Sequence, residues 1–488
     1  MFCLPRAQKQ YAGEKEGCMI KYHVAVIGLG QLGGRLAKEL CRFFNAIENR
    51  CVERVALFDG AVVDVCDMDG QEFLPEDIGW HKAAVLTGVY NDVFSRVGVK
   101  GYGHVKGRCM LEAGLGLTNI YSSNEHVALI YDMSNGGRGV SRIVREFFGT
   151  FPNCIVMTPA KGGLHVAVKL ATAKLGTPVA SVRKAHYTAT DAMRICRICL
   201  AKTAMLITDG NLSNAPIYLS KDGFGVAGDM QAVDCKPQTV SFAKKGEPLL
   251  CVVVGCGGTG GNFIKEFVHT QMCMHENLSL LMIDGDRVEE KNLERQPFSE
   301  DDIMQNKACC LKHDLIEEHP ILQGRLFDYP CYLDTVKDLS VAVEQTGYSG
   351  KYLLVGAVDN HRARQVLEGF YHYAKDCVYI DAANEWSNGE VVVSVKRAGR
   401  EQSPLRSFYY PDVLTDNSPS ASELSCGVVN ESAPQHFCTN LASAQGVLGA
   451  MEPIVKTGRA RGGIFYFDAF REYARFQEVW YKDMENMC

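Results

Sequence analysis

The 488-residue chain has no uninterrupted apolar run of 18 or more residues, so no membrane-spanning helix is expected. Its first stretch, "MFCLPRAQKQYAGEKEG", lacks the apolar core of a secretion signal. It also lacks the two C-x-x-C pairs that enclose a structural zinc ion. Cys196 and Cys199 form a lone pair, Cys309 and Cys310 are adjacent, and no zinc is expected. Nor is there an excess of positive charge: the net charge is −6, which argues against broad nucleic-acid binding. Twenty cysteines in a chain without a secretion signal read as reduced thiols, many buried as small hydrophobes, and the expected location is the cytoplasm. The remaining composition, 47% hydrophobic and 22% charged, is that of a globular protein whose length allows two to four domains.

One stretch stands out against this ordinary background. In "CVVVGCGGTGGNFIKEF", from Cys251 to Phe267, an apolar β-branched run leads into five glycines, and Phe263, Ile264, Phe267 and Val268 then recur at helical spacing. Strand, glycine turn and helix form the first unit of a doubly wound α/β fold, with the glycines letting phosphates approach main-chain N–H groups at a helix N-terminus. A second apolar run, "LLMID", ends in Asp284, where a carboxylate can hold ribose hydroxyls. Asn292, Arg295, Gln296 and Lys307 follow; two cations so close to a phosphate loop can neutralise a triphosphate and the charge that develops when it is attacked. A third run, "YLLVGAVDNHRAR", ends in Asp359 and Asn360. Asp359 is placed to bind Mg²⁺ beside phosphates, and either residue can cap the following helix.

Taken together, "GCGGTGG", "DGDRVEEKNLERQPF" with its later lysine, and "VDNHRAR" resemble the ThiF/MoeB/E1 superfamily over about residues 250–395. The resemblance implies an enzyme that adenylates the C-terminal carboxylate of a ubiquitin-like protein with ATP and Mg²⁺. It assigns the ATP site to Gly255, Gly257, Gly258, Gly260 and Gly261 of the loop, with Asp284 on ribose. Asn292, Arg295 and Lys307 fall on the phosphates, Gln296 in the same loop, and Asp359 on the metal.

The first half repeats the pattern. Asp284 precedes Gln296, Phe298 and Lys307 by 12, 14 and 23 positions, and Asp59 precedes Gln71, Phe73 and Lys82 by the same intervals, an offset of 225. The same offset carries Asp359 and Asn360 onto Ser134 and Asn135. Asn292 becomes Asp67, Arg295 becomes Gly70, and in the glycine turn "GLGQLGG" Gln31 stands for Gly258. The first copy is therefore expected to keep the fold and to have lost turnover. The expected architecture is α/β, with two tandem Rossmann-like (ThiF-type) doubly wound domains forming an intramolecular pseudo-dimer: a degenerate adenylation domain over 1–244 and an active one over 245–488. A faint resemblance of the first half to tubulin/FtsZ-like GTPases, in "VIGLGQLGGR" and "NGGRGVSR", lacks this spacing match.

In the family, enzymes that feed an E2-like conjugating enzyme pass the carboxylate to a cysteine beyond the strand after the metal aspartate. Here that region holds a Ser/Asn/Asp/Pro-rich crossover loop, 405–430, with Cys426 near its end as the nucleophile, while Cys438 falls in a helical run and reads as buried. Arg6 corresponds to the arginine that a partner domain's N-terminal segment lends to the ATP site, although a start at Met19 would remove it. A second chain could pair with this one as a homodimer. The alternatives are sulfur-carrier adenylation without a thioester, and a nucleotide-binding scaffold without chemistry. Between the two glycine motifs, "VAVKLATAKLGTPVASV" reads as helix and "TAMLITDGNLSNAPIYL" as strand and turn, in a region larger than the repeat requires.

Overall fold

The computed structural model describes residues 20–46, 51–68, 71–118, 120, 125–136, 139–151, 153–162, 165–172, 184–209, 217–219, 238–293, 295–416, 436–469 and 473–485. The first half runs β1 (Lys21–Ile27), α1 (Gly33–Ala46), β2 (Val52–Phe58), α2 (Lys82–Val93), β3 (Gly98–Tyr102), α3 (Arg108–Leu115), β4 (His126–Asp132), α4 (Val140–Thr150), β5 (Cys154–Gly162), β6 (His165–Thr172), α5 (Ala189–Asp209) and β7 (Ile217–Leu219). The second half starts with β8 (Val240–Ser241), β9 (Leu249–Val254), α6 (Gly258–Phe267), β10 (Leu278–Ile283), α7 (Lys307–Glu318), β11 (Leu326–Tyr329), α8 (Val336–Glu344), β12 (Lys351–Gly356) and α9 (His361–Tyr373). It continues with β13 (Cys377–Asn384), β14 (Asn388–Arg397), β15 (Arg400–Glu401), α10 (Arg406–Tyr409), α11 (Asp412–Thr415), α12 (Phe437–Thr457), β16 (Arg459–Ala460), β17 (Gly463–Asp468) and β18 (Tyr473–Glu478).

The two halves share one topology. The first sheet is ordered β3-β2-β1-β4-β5-β6-β7 and the second β11-β10-β9-β12-β13-β14-β17-β18, with β15 beside β14. In each, the first five strands are parallel and the sixth turns antiparallel on the fifth. The glycine-loop strands β1 and β9 lie mid-sheet. Every residue of β9 is buried, which accounts for its unbroken apolar sequence. No helix among the described residues is long and apolar enough to cross a membrane.

Two sequence expectations between the glycine motifs are corrected. "VAVKLAT" is not helical: it is most of β6, with Val168 and Leu170 buried and Lys169 between them exposed. "TAMLITD" is not a strand but the last turns of α5. A capping box starts that helix, in which Thr188 Oγ1 accepts from the Asp191 N–H at 3.1 Å and Asp191 Oδ2 from the Thr188 N–H at 3.0 Å. Nor is the region surplus to the repeat, because β6, α5 and β7 hold the places that β14, α12 and β17 hold in the second sheet.

Helices α1 and α5 of the first half meet α6 and α12 of the second. Arg42 donates to Asn262 Oδ1 at 3.1 Å and lies 4.5 Å from the Phe437 ring centre. Arg35 pairs with Glu266 at 2.8 Å. Arg194, 2% exposed, donates to Glu452 Oε2 at 2.9 Å. Removing one partner of a buried pair leaves an uncompensated charge, so Glu452→Ala is expected to lower unfolding stability by about 3–5 kcal/mol in urea titration. Burial, reinforced by Glu39 and Glu72 and opposed by Arg35, raises the Glu266 carboxyl to about 7. Its unfolded value is about 4.3, so across that window the folded state binds more protons and stability falls as pH rises. Relative to the parent, Glu266→Gln should therefore gain stability from about pH 4.5 to about pH 7 and change little above about pH 8, read from denaturation at successive pH values.

Candidate active site

A cavity of about 500 Å³ opens at the carboxyl ends of the central strands of the second sheet. Gly255, Gly257, Gly258 and Thr259 form its floor. Asp284, Asp286, Arg295, Gln296 and Lys307 form one wall, and Asp359, Asn360, Arg362 and Arg364 another, with Asn384 and Glu385 above. Of the residues the sequence singled out, Gly260, Gly261 and Asn292 do not line it. A Cβ on Gly260 would lie 1.8 Å from the Gly255 carbonyl, and one on Gly261 2.8 Å from Pro297 Cγ, so these glycines allow helix and loop to close on each other. Asn292 is buried and its Oδ1 accepts from the Glu289 N–H at 3.0 Å, which caps the short turn that delivers Arg295. Cys426 and Arg6 lie outside the described residues.

Asp284 anchors the glycine loop. Its carboxylate accepts from the Cys256 and Asp286 N–H groups at 2.7 and 2.8 Å, and burial raises its pKa. Lys307 is 6% exposed and pairs with Asp286 at 3.0 Å. Burial works against its ammonium, yet Asp284 and Asp286 hold its pKa above the ordinary value. Among the described residues, Arg295 makes no side-chain hydrogen bond or ion pair. Asn360 Oδ1 caps α9 through the Ala363 N–H at 2.7 Å, so capping falls to Asn360. The exposed Asp359 carboxylate is left with one contact, to the Asn360 amide at 3.4 Å.

In the first half, the corresponding side chains are engaged by their own neighbours. Asp59 repeats the anchor, accepting from Leu29 and Ala61 N–H groups at 2.7 and 2.8 Å. Lys82, however, is neutralised by Asp67 at 2.6 Å, and Gln71 donates to the same carboxylate at 2.7 Å. Ser134 turns onto Asp132 at 2.6 Å, and the Asn135 side chain is bound at both ends to the Ala185 backbone at 2.9 Å. Gly70, opposite Arg295, lies outside the described residues.

The sequence reading missed several lining residues, Asp286, Arg362, Arg364, Asn384 and Glu385 among them, and one group behind the glycine loop. Asn440, in the first turn of α12 and fully buried, lies against Gly258: a Cβ there would sit 2.3 Å from Asn440 Nδ2. Asn384 Nδ2 donates to Asn440 Oδ1 at 2.8 Å, and Thr259 Oγ1 donates to Asn384 Oδ1 at 3.1 Å. The residues are distant in sequence, and only the packing of α12 on α6 brings them together. Cys438, two positions earlier, is 1% exposed, and burial pushes its thiol up to about 12.

These features define a doubly wound α/β protein with a glycine loop at the floor of a polar cavity. Residues 236–460 match the ThiF family model, which marks a ThiF-family domain over that span. No curated protein matches the chain. Similar solved structures include E. coli MccB with ATP (16% identity, TM-score 0.34, covering 47% of this chain and 64% of that one). Two others are E. coli MccB with AMPCPP and MccA (14%, 0.34, 47% and 64%) and PaaA (15%, 0.35, 48% and 65%). The chain spans less than two thirds of the length of these solved chains.

The contact between Asn440 and Gly258 gives a direct test. Gly258→Ala should cost about 1–3 kcal/mol of unfolding free energy. Adding Asn440→Ala should recover part of the loss, giving a coupling of about 0.5–3 kcal/mol in a double-mutant cycle, where independent sites would be additive.

Proposed function

We propose that residues 245–488 adenylate the C-terminal carboxylate of a ubiquitin-like protein, and that residues 1–244 are a degenerate copy supporting that site. The observation that carries this reading is the contrast between the halves. Arg295 and Lys307 face an open cavity opposite Asp359, while the equivalent Lys82 is neutralised by Asp67. A substrate carboxylate oxygen attacks the α-phosphorus of ATP and pyrophosphate leaves. Arg295 and Lys307 neutralise the charge that builds on the phosphates, and Asp284 keeps lone pairs for ribose hydroxyls. The free carboxylate of Asp359 fits a Mg²⁺ ion, which when bound would screen phosphate charge.

In the same reading, Cys426 Sγ attacks the acyl-adenylate, AMP leaves, and the thioester is handed to an E2-like conjugating enzyme. The stem of the crossover loop 405–430 favours a firm base for such a movement. Arg406 pairs with Asp381 at 2.7 Å and with Glu390 at 2.6 Å, while α12 receives the chain at the far end.

ATP–pyrophosphate exchange in the presence of the ubiquitin-like protein tests both steps. Lys307→Ala and Asp359→Ala should each lower exchange about 10²–10³-fold. Cys426→Ala should leave exchange intact and abolish a DTT-sensitive adduct. Exchange that survives Lys307→Ala would overturn the site. Adduct formation that survives Cys426→Ala would move the thioester to another residue, and a parent protein with exchange but no adduct would restrict the chemistry to adenylation.

A further inference from the structure

We propose that His269, His319 and Glu318 hold a divalent transition-metal ion where the two halves meet. This site is separate from the nucleotide cavity and does not depend on the function proposed above. His269 sits in a π-helical turn, Val268–Met272, that continues α6, and His319 closes the carboxyl end of α7. His269 Nδ1 and His319 Nε2 stand 3.1 Å apart, and the Glu318 carboxylate completes a set whose ligand atoms all lie within 4.8 Å of one another. Two imidazole nitrogens bound to a tetrahedral zinc ion at about 2.0–2.1 Å are separated by about 3.3 Å, so this spacing needs little adjustment. Two imidazoles and one carboxylate form a donor set that suits zinc, cobalt or nickel and leaves a position for water.

Acidic and basic side chains both surround the pair: Arg35, Lys38 and Arg42 face Glu39, Glu72, Glu266 and Glu318, with Arg42 on Glu39 at 3.7 Å. The last carbonyls of α7 add negative potential at the same end. A bound ion would pin the end of α6, the helix that begins at the glycine loop, to the end of α7, at the place where Glu72 of the first half packs. A C-x-x-C search cannot see such a site, because it contains no cysteine.

A plain hydrogen bond between the imidazoles has the same spacing, and metal binding separates the two. The full-length protein is stripped with EDTA, desalted and titrated with Co²⁺, then with Zn²⁺. The expected result is one Co²⁺ per chain, with d–d absorption bands and no thiolate-to-cobalt charge-transfer band, displaced by Zn²⁺ and accompanied by a rise in melting temperature. His319→Gln should weaken binding at least about tenfold and abolish the rise in melting temperature. The metal-free melting temperature of the variant, compared with that of the metal-free parent, shows that it folds. Absence of stoichiometric binding, a thiolate band, or equal affinity in a His269→Gln/His319→Gln double variant would each overturn the proposal.

Discussion

A lysine more than nine-tenths buried must find negative charge, and the source of that charge separates the two halves of this molecule. Lys307 finds it in Asp286, whose carboxylate is about half exposed and on the cavity wall. An anion entering the cavity can compete for that ammonium. Lys82 finds it in Asp67, itself buried, with Gln71 on the same carboxylate. No second anion can enter there without meeting a charge already in place. One exchange, Asn292 for Asp67, keeps the turn cap, since Asp67 Oδ2 accepts from the Asp64 N–H at 2.8 Å, and adds a permanent counter-ion on an otherwise shared backbone.

That backbone is shared because the same packing problem was solved twice. Each half builds a glycine-loop helix, α1 or α6, and covers it with a 21-residue helix, α5 or α12. The four helices then meet, so the first half supports the helix from which the second half's glycine loop begins. Arg35, Arg42 and Arg194 cross this boundary, each with a named partner in the second half. Buried ion pairs are poor sources of net stability, but they penalise misalignment strongly, which suits a boundary that must hold one register.

The parts of the fold and site that could be read from the sequence were those encoded by local spacing. Strand, glycine turn and helix recur at fixed intervals, so the repeat and part of the cavity wall were visible without coordinates. Two kinds of information were not. Short apolar runs such as "TAMLIT" fit a strand or a buried helix equally well, and the deciding signal, Thr188 followed three residues later by Asp191, lay upstream of the run. In "VAVKLAT", good helix formers sit in a strand because its place beside β5 outweighs their propensity. The other gap was tertiary. Asn440 and Gly258 are 182 positions apart, and no local pattern joins them.

That pair of residues also constrains how the two halves could diverge. Counted from the helix caps, Thr188 and His436, Asn440 corresponds to Ala192, just as Gly258 corresponds to Gln31. The second half joins a bare loop position to a large amide; in the first, a long side chain stands at the loop position and a methyl group at the helix position. Because bulk at both positions would collide, neither arrangement can reach the other by enlarging first. The permitted route shrinks one residue before the other grows, and it passes through an intermediate with a void beside the glycine loop. Descent from a common ancestor is thus confined to one order of steps, with its weakest point next to the cavity floor.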